Sequence, residues 1–450
     1  MPTTPSLTTI NIPSTQATSN PGAGIDYRRF LDCVHCGLCT ASCPTYLETG
    51  DENEGPRGRI HLMRSVTDGR LELSPTVREH LDNCLDCRAC ETACPSGVQY
   101  GRLIEPFRIG MEQQSAMGFG KGHDFFHRWV LFWLFPYPSR LRAALWPARI
   151  AQQLGVLRLA QALGITRLLP ATMQSLLSML PPAKRATPRL PERLPAIGPR
   201  RATVALFTGC VADAMFRHTH WATARVLQRN GCDVIIPRTQ SCCGAIHYHG
   251  GASAPALQCA NDNVAAFNLS DVDAVIVNVA GCGAMFKDYS HHWPNDVGQA
   301  ERIALGNKVK DVHEFLDALG LIPPTGEINR IATYHDACHL AHAQKIREAP
   351  RRILQSIPGL ILRDLPEGDL CCGAAGTYNL THPQMSQQLQ SRKLTAIEST
   401  GASLVLTANA GCLLQITRGA TVNRDRFWIG HPMDLLDMSY QGKTPQTDSE

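Results

Sequence analysis

Two cysteine runs in this chain have the residue types and spacing to do redox chemistry. Cys33-x-x-Cys36-x-x-Cys39-x-x-x-Cys43-Pro44 and Cys84-x-x-Cys87-x-x-Cys90-x-x-x-Cys94-Pro95 share one pattern, the pattern that holds [4Fe–4S] clusters. Three cysteines two residues apart fit on one tight loop, and their thiolates reach three corners of a cube. The loop's backbone N–H groups then face the sulfurs and offset their negative charge. Gly37 suits the close approach of backbone to cluster. The cysteine before proline leaves its own loop for the neighbouring cube. The expected ligand sets are therefore Cys33, Cys36, Cys39 and Cys94 for one cluster, and Cys84, Cys87, Cys90 and Cys43 for the other. A pair of zinc ribbons also uses C-x-x-C, but four zinc ligands would leave the third cysteine of each run surplus. Two adjacent cubes pass single electrons and do not activate an organic substrate. Between the runs, Arg57 and Arg59 are read in two ways: a tuning charge or acidic-partner dock, or a solvated basic turn.

A second set of thiols lies further along. Cys210, Cys242, Cys243 and Cys282 form one quartet, and Cys338, Cys371, Cys372 and Cys412 form another. Each contains a vicinal pair followed by glycine, Gly244 or Gly373, which permits a tight turn. Neighbouring cysteines make a strained disulfide, so the quartets offer a further iron–sulfur cluster or redox thiols. Inert buried thiols are the alternative. Cys232 and Cys259 belong to neither set and are read as packing residues. His335 and His339 stand four apart, but Asp336 follows the first and IATY before it reads as strand, which argues against a zinc-hydrolase helix. His247, His249 and His342 are read as hydrogen-bonded loop residues.

The elements that must position these thiols show in the patterning. RATVALF, CDVIIP and DAVIVNVAG read as strands and WATARVLQRNG as a helix ending at Gly231. The quartets repeat in register: Cys210 to Cys338, Cys243 to Cys372 and Cys282 to Cys412 are offset by 128, 129 and 130 residues. Each half is a strand–helix–strand unit with its cysteines at strand ends, where α/β folds place functional loops. The expected organisation is a disordered N-terminus (1–24), a helical ferredoxin-type domain for two clusters (25–110), a helical segment (111–180) and a Pro-rich linker (181–200). A duplicated α/β region follows, with repeats at 201–325 and 326–445. The fold class is thus α+β and α/β, multidomain.

With 450 residues, 44% of them apolar, the chain has material for several cores. Its 18 cysteines are not needed to staple so large a protein, and no apolar leader precedes them, so a reducing cytoplasm is expected. A formal charge of +4 is too small to point to nucleic acid, and two oxidised cubanes at about −2 each would balance it. No stretch reaches the length of a spanning helix. Trp129 to Pro138 is read as a buried helix end or partner-facing patch, with shallow membrane contact as the alternative. No dinucleotide fingerprint, Walker loop or nucleophile elbow is present, and the glycines of MGFGKG lack the strand–helix context. Substrate chemistry is therefore expected on another subunit.

Taken together, CVHCGLCTASCPTY, GDENEGPRGRI, HLDNCLDCRACETACPSGVQY, CCGAIHYH, GCGAMFKDY, CCGAAGTYNLTHP and TANAGC resemble the iron–sulfur subunits of bacterial glycolate oxidase (glycolate dehydrogenase). These belong to a wider group of Cys-Cys-Gly-domain proteins from heterodisulfide reductase, lactate-utilisation and anaerobic glycerol-3-phosphate dehydrogenase complexes. The resemblance implies two FAD-binding partner subunits that oxidise glycolate to glyoxylate. Electrons would leave through this chain towards a respiratory acceptor. The expected location is the cytoplasm, with peripheral association at the cytoplasmic face of the inner membrane as the alternative. The alternative is an electron-transfer or catalytic role in one of the related complexes. In the heterodisulfide reductase relatives each unit ends in C-x-x-C and supplies five thiolates to a non-cubane cluster. Here Met285 and Gln415 stand at the last position, so four thiolates are expected in each half.

Overall fold

The computed structural model describes residues 20–116, 124–165, 174, 177, 187–420 and 426–446. The expected disordered stretch up to residue 19, the MGFGKG glycines, much of 163–186 and the last four residues lie outside that set. Residues 20–24, grouped by composition with the disordered N-terminus, instead form turns. Asn20 Nδ2 donates to the Thr67 carbonyl at 2.7 Å, which ties them to the helix behind.

The front of the chain is helical. Prolines open Pro44–Thr49, Pro56–Thr67 and Pro75–Asp82, where a missing N–H costs nothing and a fixed φ already suits the helix. Ser74 caps the last of these by accepting from Val77 N at 3.3 Å. Gly101–Ala116 closes the unit. Phe30, Met63, Leu81, Leu103, Ile104 and Phe107 fill its core, and Cys33, Cys84, Cys90 and Cys94 pack on it. The GPRGR segment is the start of a helix rather than a turn. Beyond this unit, Leu131 is buried while Trp129, Trp133 and Tyr137 stay partly exposed, and Arg140 lies over the last two rings.

Among the described residues, the rest of the chain holds two sheets, parallel except for one edge strand. The first comprises β1 (Arg193–Leu194), β2 (Ala202–Phe207), β3 (Cys232–Ile235), β4 (Ala274–Val277) and β5 (Val309–Asp311), in the order β1-β3-β2-β4-β5. The second comprises β6 (Ile331–His335), β7 (Ile361–Arg363), β8 (Leu404–Thr407) and β9 (Trp428–Gly430), in the order β7-β6-β8-β9. Apart from β1 the two orders are the same, so the sequence repeat is a repeat of topology. β4 and β8 are buried throughout, as central parallel strands with both faces covered must be. β1 lies in the segment read as a spacer. It pairs antiparallel with β3, so the proline-rich stretch ends as an edge strand.

The repeats share one core, which takes Leu206 and Ile276 from one sheet and Tyr334 and Leu406 from the other. They also exchange helices. Pro432–Tyr440, at the end of the second repeat, packs on Arg217–Arg229 of the first, where Arg225 pairs with Asp437 at 2.7 Å and Thr219 donates to Asp434 at 3.0 Å. Every quartet cysteine follows the carboxyl end of a parallel strand or starts the helix after it, so each sheet gathers its thiols at one edge.

Candidate iron–sulfur sites

Both cysteine runs adopt the same loop. In the first, His35 and Gly37 have φ of 54° and 82°; in the second, Asp86 and Arg88 have φ of 50° and 60°. These left-handed residues turn backbone N–H groups inwards as an anion nest. Asp86 N donates to Cys84 Sγ at 3.4 Å, and Tyr100 Oη donates to the same sulfur at 3.6 Å. Cys33, Cys36, Cys39 and Cys94 line one cavity. Cys43, Cys84, Cys87 and Cys90 line a second. The cysteine before each proline thus stands with the other run's triplet. Burial pushes the Cys39 thiol up to about 11 and raises Cys33, Cys87 and Cys90. A set of buried thiols kept neutral by desolvation becomes a thiolate set when a cation enters, and the cavities, nests and sulfur donors fit a cubane each.

Arg59 and Arg57 part company here. Arg59 is buried, donates to the carbonyls of His80 and Glu54 at 2.6 Å each, and pairs with the Glu54 carboxylate. It lines the second cavity, so its solvated-turn reading is wrong. Arg57 lies at the rim of the first cavity, bound to Glu52 at 2.8 Å and to the His35 carbonyl at 3.1 Å.

The structure also brings each quartet together. Cys210 and Cys242 sulfurs lie 3.4 Å apart, and Cys243 is held well below the usual thiol range by donation from Cys242 and Cys282. In the second half Cys338, Cys371, Cys372 and Cys412 form a chain of neighbouring thiols. Gly244 and Gly373 take φ of 88° and 84° to make the turn after each vicinal pair.

The three best-defined thiol groups are contiguous. The two cavities share Pro56, Cys90 and Tyr100 as walls. Cys87 then packs in one apolar cluster with Cys338, Cys371 and Tyr378. Tyr378 Oη donates to the Asn83 carbonyl at 3.0 Å and Thr92 Oγ1 meets His342 Nδ1 at 2.9 Å across the same boundary.

A profile described as a 4Fe-4S dicluster domain matches residues 29–98, and one described as a cysteine-rich domain matches 204–287 and 332–417. Residues 124–180 match the linker region of the glycolate oxidase iron-sulfur subunit. The "Probable glycolate oxidase iron-sulfur subunit" of Bacillus subtilis is 39% identical over 404 residues, covering 88% of this chain and 90% of that protein. The "Glycolate oxidase iron-sulfur subunit" of Escherichia coli is 35% identical, covering 88% and 92%. The chain belongs to the glycolate oxidase iron–sulfur subunit family. A "Lactate utilization protein A" from Geobacillus kaustophilus is 34% identical, but over only 52% of this chain.

Three residues of this family member were misjudged or missed by sequence reasoning. Cys259, read as packing, lies on Ser253–Ala266 and is buried in one core with Cys242 and Cys243, which puts a fifth thiol beside the first quartet. His335, set aside with the zinc-hydrolase reading, is buried beside Cys372 and Cys412. His249 lies on a short helix (Ala245–His249), not a loop, and reaches Glu105 at 3.1 Å and Asp86 at 3.3 Å. Aligning the two halves would have singled out the first two, because Cys259 falls opposite Leu389 and His335 opposite Phe207. Met285 is buried in the first core, while Gln415 spends its amide on Asn379 at 3.2 Å and Ser386 Oγ at 2.8 Å. Neither replaces the missing thiolate.

Proposed function

We propose that this chain carries electrons out of glycolate oxidation, taking them from an FAD-bearing partner and passing them towards a respiratory acceptor. Glycolate would become glyoxylate on the flavin subunits, of which the family resemblance implies two. Cys33, Cys36, Cys39 and Cys94 would hold one [4Fe–4S] cluster and Cys43, Cys84, Cys87 and Cys90 the other. When bound, the clusters supply one-electron steps between a two-electron flavin and the acceptor. The quartets would add a further metal centre, the second of them beside Cys87.

The observation that carries this reading is the contiguity of the first cavity, the second cavity and the Cys338 quartet, which share walls and an apolar cluster. The chain's own residues line that route and hold it in place. Tyr100 and Pro56 stand between the cavities, Arg59 places positive charge against Cys43 and Cys84, and backbone N–H groups hold the sulfurs. Among the described residues no helix is long and apolar enough to cross a membrane. Contact with the inner membrane would therefore be peripheral, at its cytoplasmic face, with the partly exposed Trp129, Trp133 and Tyr137 as the surface for it.

Cys36, the exposed ligand of the outer cavity, is the residue to test. In the assembled complex, Cys36→Ser should abolish reduction of an external acceptor while glycolate still bleaches the flavin. If the flavin also stays oxidised, this chain is needed structurally; if the acceptor is still reduced, the electron-carrier reading is wrong. A purified chain holding zinc and no iron would sink it too.

A further inference from the structure

The two thiol sites of the duplicated region are not chemical copies. In the first half the strand before the site ends in Phe207, and helix Ser253–Ala266 contributes Cys259. In the second half the matching strand ends in His335, and helix Pro383–Ser399 contributes Leu389, packed against Cys338 and Cys371. The correspondence is structural. β2 and β4 pair Phe207 with Val277, as β6 and β8 pair His335 with Thr407. A Cβ on Gly244 would meet Ala256 and one on Gly373 would meet Ser386, which sets the helices in the same alignment.

His335 is prepared as a ligand. It is fully buried. Its Nδ1 is 3.0 Å from the Gly368 carbonyl, which can only accept, so the proton sits on Nδ1 and Nε2 keeps its lone pair. Nε2 has no hydrogen-bond partner. A ring nitrogen of His335 and the sulfurs of Cys372 and Cys412 all lie within 4.8 Å of one another. One nitrogen and two sulfurs on a tetrahedral ion stand about 3.5–3.8 Å apart, given bonds of about 2.0–2.3 Å. A buried imidazole with an unused acceptor costs stability unless something fills that position. The carbonyl behind Nδ1 is the partner that metal-bound histidines use to fix their tautomer. Lys393, buried and within electrostatic reach of Cys371 and Cys372, supplies compensating charge for thiolates, where the first half has Asn263.

We propose that His335 Nε2 is a metal ligand, so that the second quartet binds a thiophilic transition metal through one imidazole and thiolates, including Cys372 and Cys412. This rests on the reading that the second quartet holds metal. Each thiol that binds does so as thiolate and releases its proton to solvent. The first half, with five thiols and Phe207, then provides all-sulfur ligation, and the duplication has yielded two centres of different donor sets.

The test is metal content and ligation of the anaerobically purified full chain. Iron, zinc and acid-labile sulfide per chain are measured for wild type, His335→Gln and His335→Phe. Metal beyond the eight irons of two cubanes is expected in wild type. If that metal is iron, an imidazole nitrogen coupling should appear in pulsed EPR. If it is zinc, X-ray absorption should show nitrogen at about 2.0–2.1 Å beside sulfur at about 2.3 Å. His335→Gln should lose that signal and release the extra metal to a chelator at least about tenfold faster, with the eight irons retained. Extra metal with an all-sulfur shell, unmoved by either substitution, overturns the assignment of His335 and leaves the metal reading standing. Eight irons and no other metal in wild type overturns both. The wild-type spectra decide the question even if a variant does not accumulate.

Discussion

Arg59 shows how a single residue serves both packing and the cluster site. Its guanidinium is 1% exposed, and the Glu54 carboxylate opposite is 7% exposed and also receives His80 at 2.7 Å and Asn83 at 3.0 Å. Removing one partner of such a buried pair leaves an uncompensated charge, which typically costs about 3–5 kcal/mol, more than the pair itself contributes. Arg59→Ala should therefore lower unfolding free energy by about that amount in anaerobic denaturant titrations of the cluster-loaded chain. Arg59→Met combined with Glu54→Gln should recover part of the loss. If the double variant is no better than the single, the charge left on Glu54 is not the cause. That the eight front cysteines would gather was legible because their spacing is local: each loop brings three of its own thiols to one cavity, and the proline marks the cysteine that stands at the other. Arg59 was visible as a charge but not as a buried one. Cys259 was not singled out because it reaches its quartet from a helix with no local motif, and His335, three residues before Cys338, was read only against a zinc-hydrolase pattern; matching the two halves is what sets both apart.

At the scale of elements, strands with β-branched runs and the helix ending at Gly231 could be read directly, because burial on both faces leaves a periodic or continuous apolar signature. β1 could not, because two residues of edge strand following prolines look like any extended linker. The turns after the vicinal cysteines could be read from glycine alone, and the structure shows how tightly they are set. Gly373 has φ of 84°, and an added Cβ would lie 2.7 Å from the Ser386 carbonyl oxygen. Gly376, three residues on, has φ of 66° with open space around it. Gly376→Ala should cost about 1 kcal/mol, the ordinary penalty for a side chain in a left-handed conformation. Gly373→Ala should cost at least about twice that, since the helix carrying Ser386 must also move. Equal losses for the two in thermal unfolding would show that close approach of this helix is not what holds the Cys371–Cys372 turn.

The whole molecule is held together by charge as well as by shared apolar contacts, and this makes the junction between the cluster module and the first repeat dependent on pH. Arg88 bridges Glu105 at 2.9 Å and Asp288 at 2.6 Å, and His249 reaches across to Asp86 and Glu105. No sequence pattern announced this, because the partners come from opposite sides of a boundary that the chain crosses only once. Burial alone would lower the His249 imidazole, but the two carboxylates outweigh it and raise it to about 10. An unfolded histidine titrates near 6.5. A folded value above the unfolded one means that the folded state binds the proton more tightly. The stabilisation is complete below about pH 6.5 and disappears as pH rises through about 10. His249→Gln removes the titrating group and keeps a polar side chain of similar reach. The stability advantage of wild type over this variant should be largest near pH 6 and shrink steadily up to pH 10, as measured by denaturant midpoints at matched ionic strength. A constant difference across that range would mean that His249 joins the two modules by packing and not by its charge.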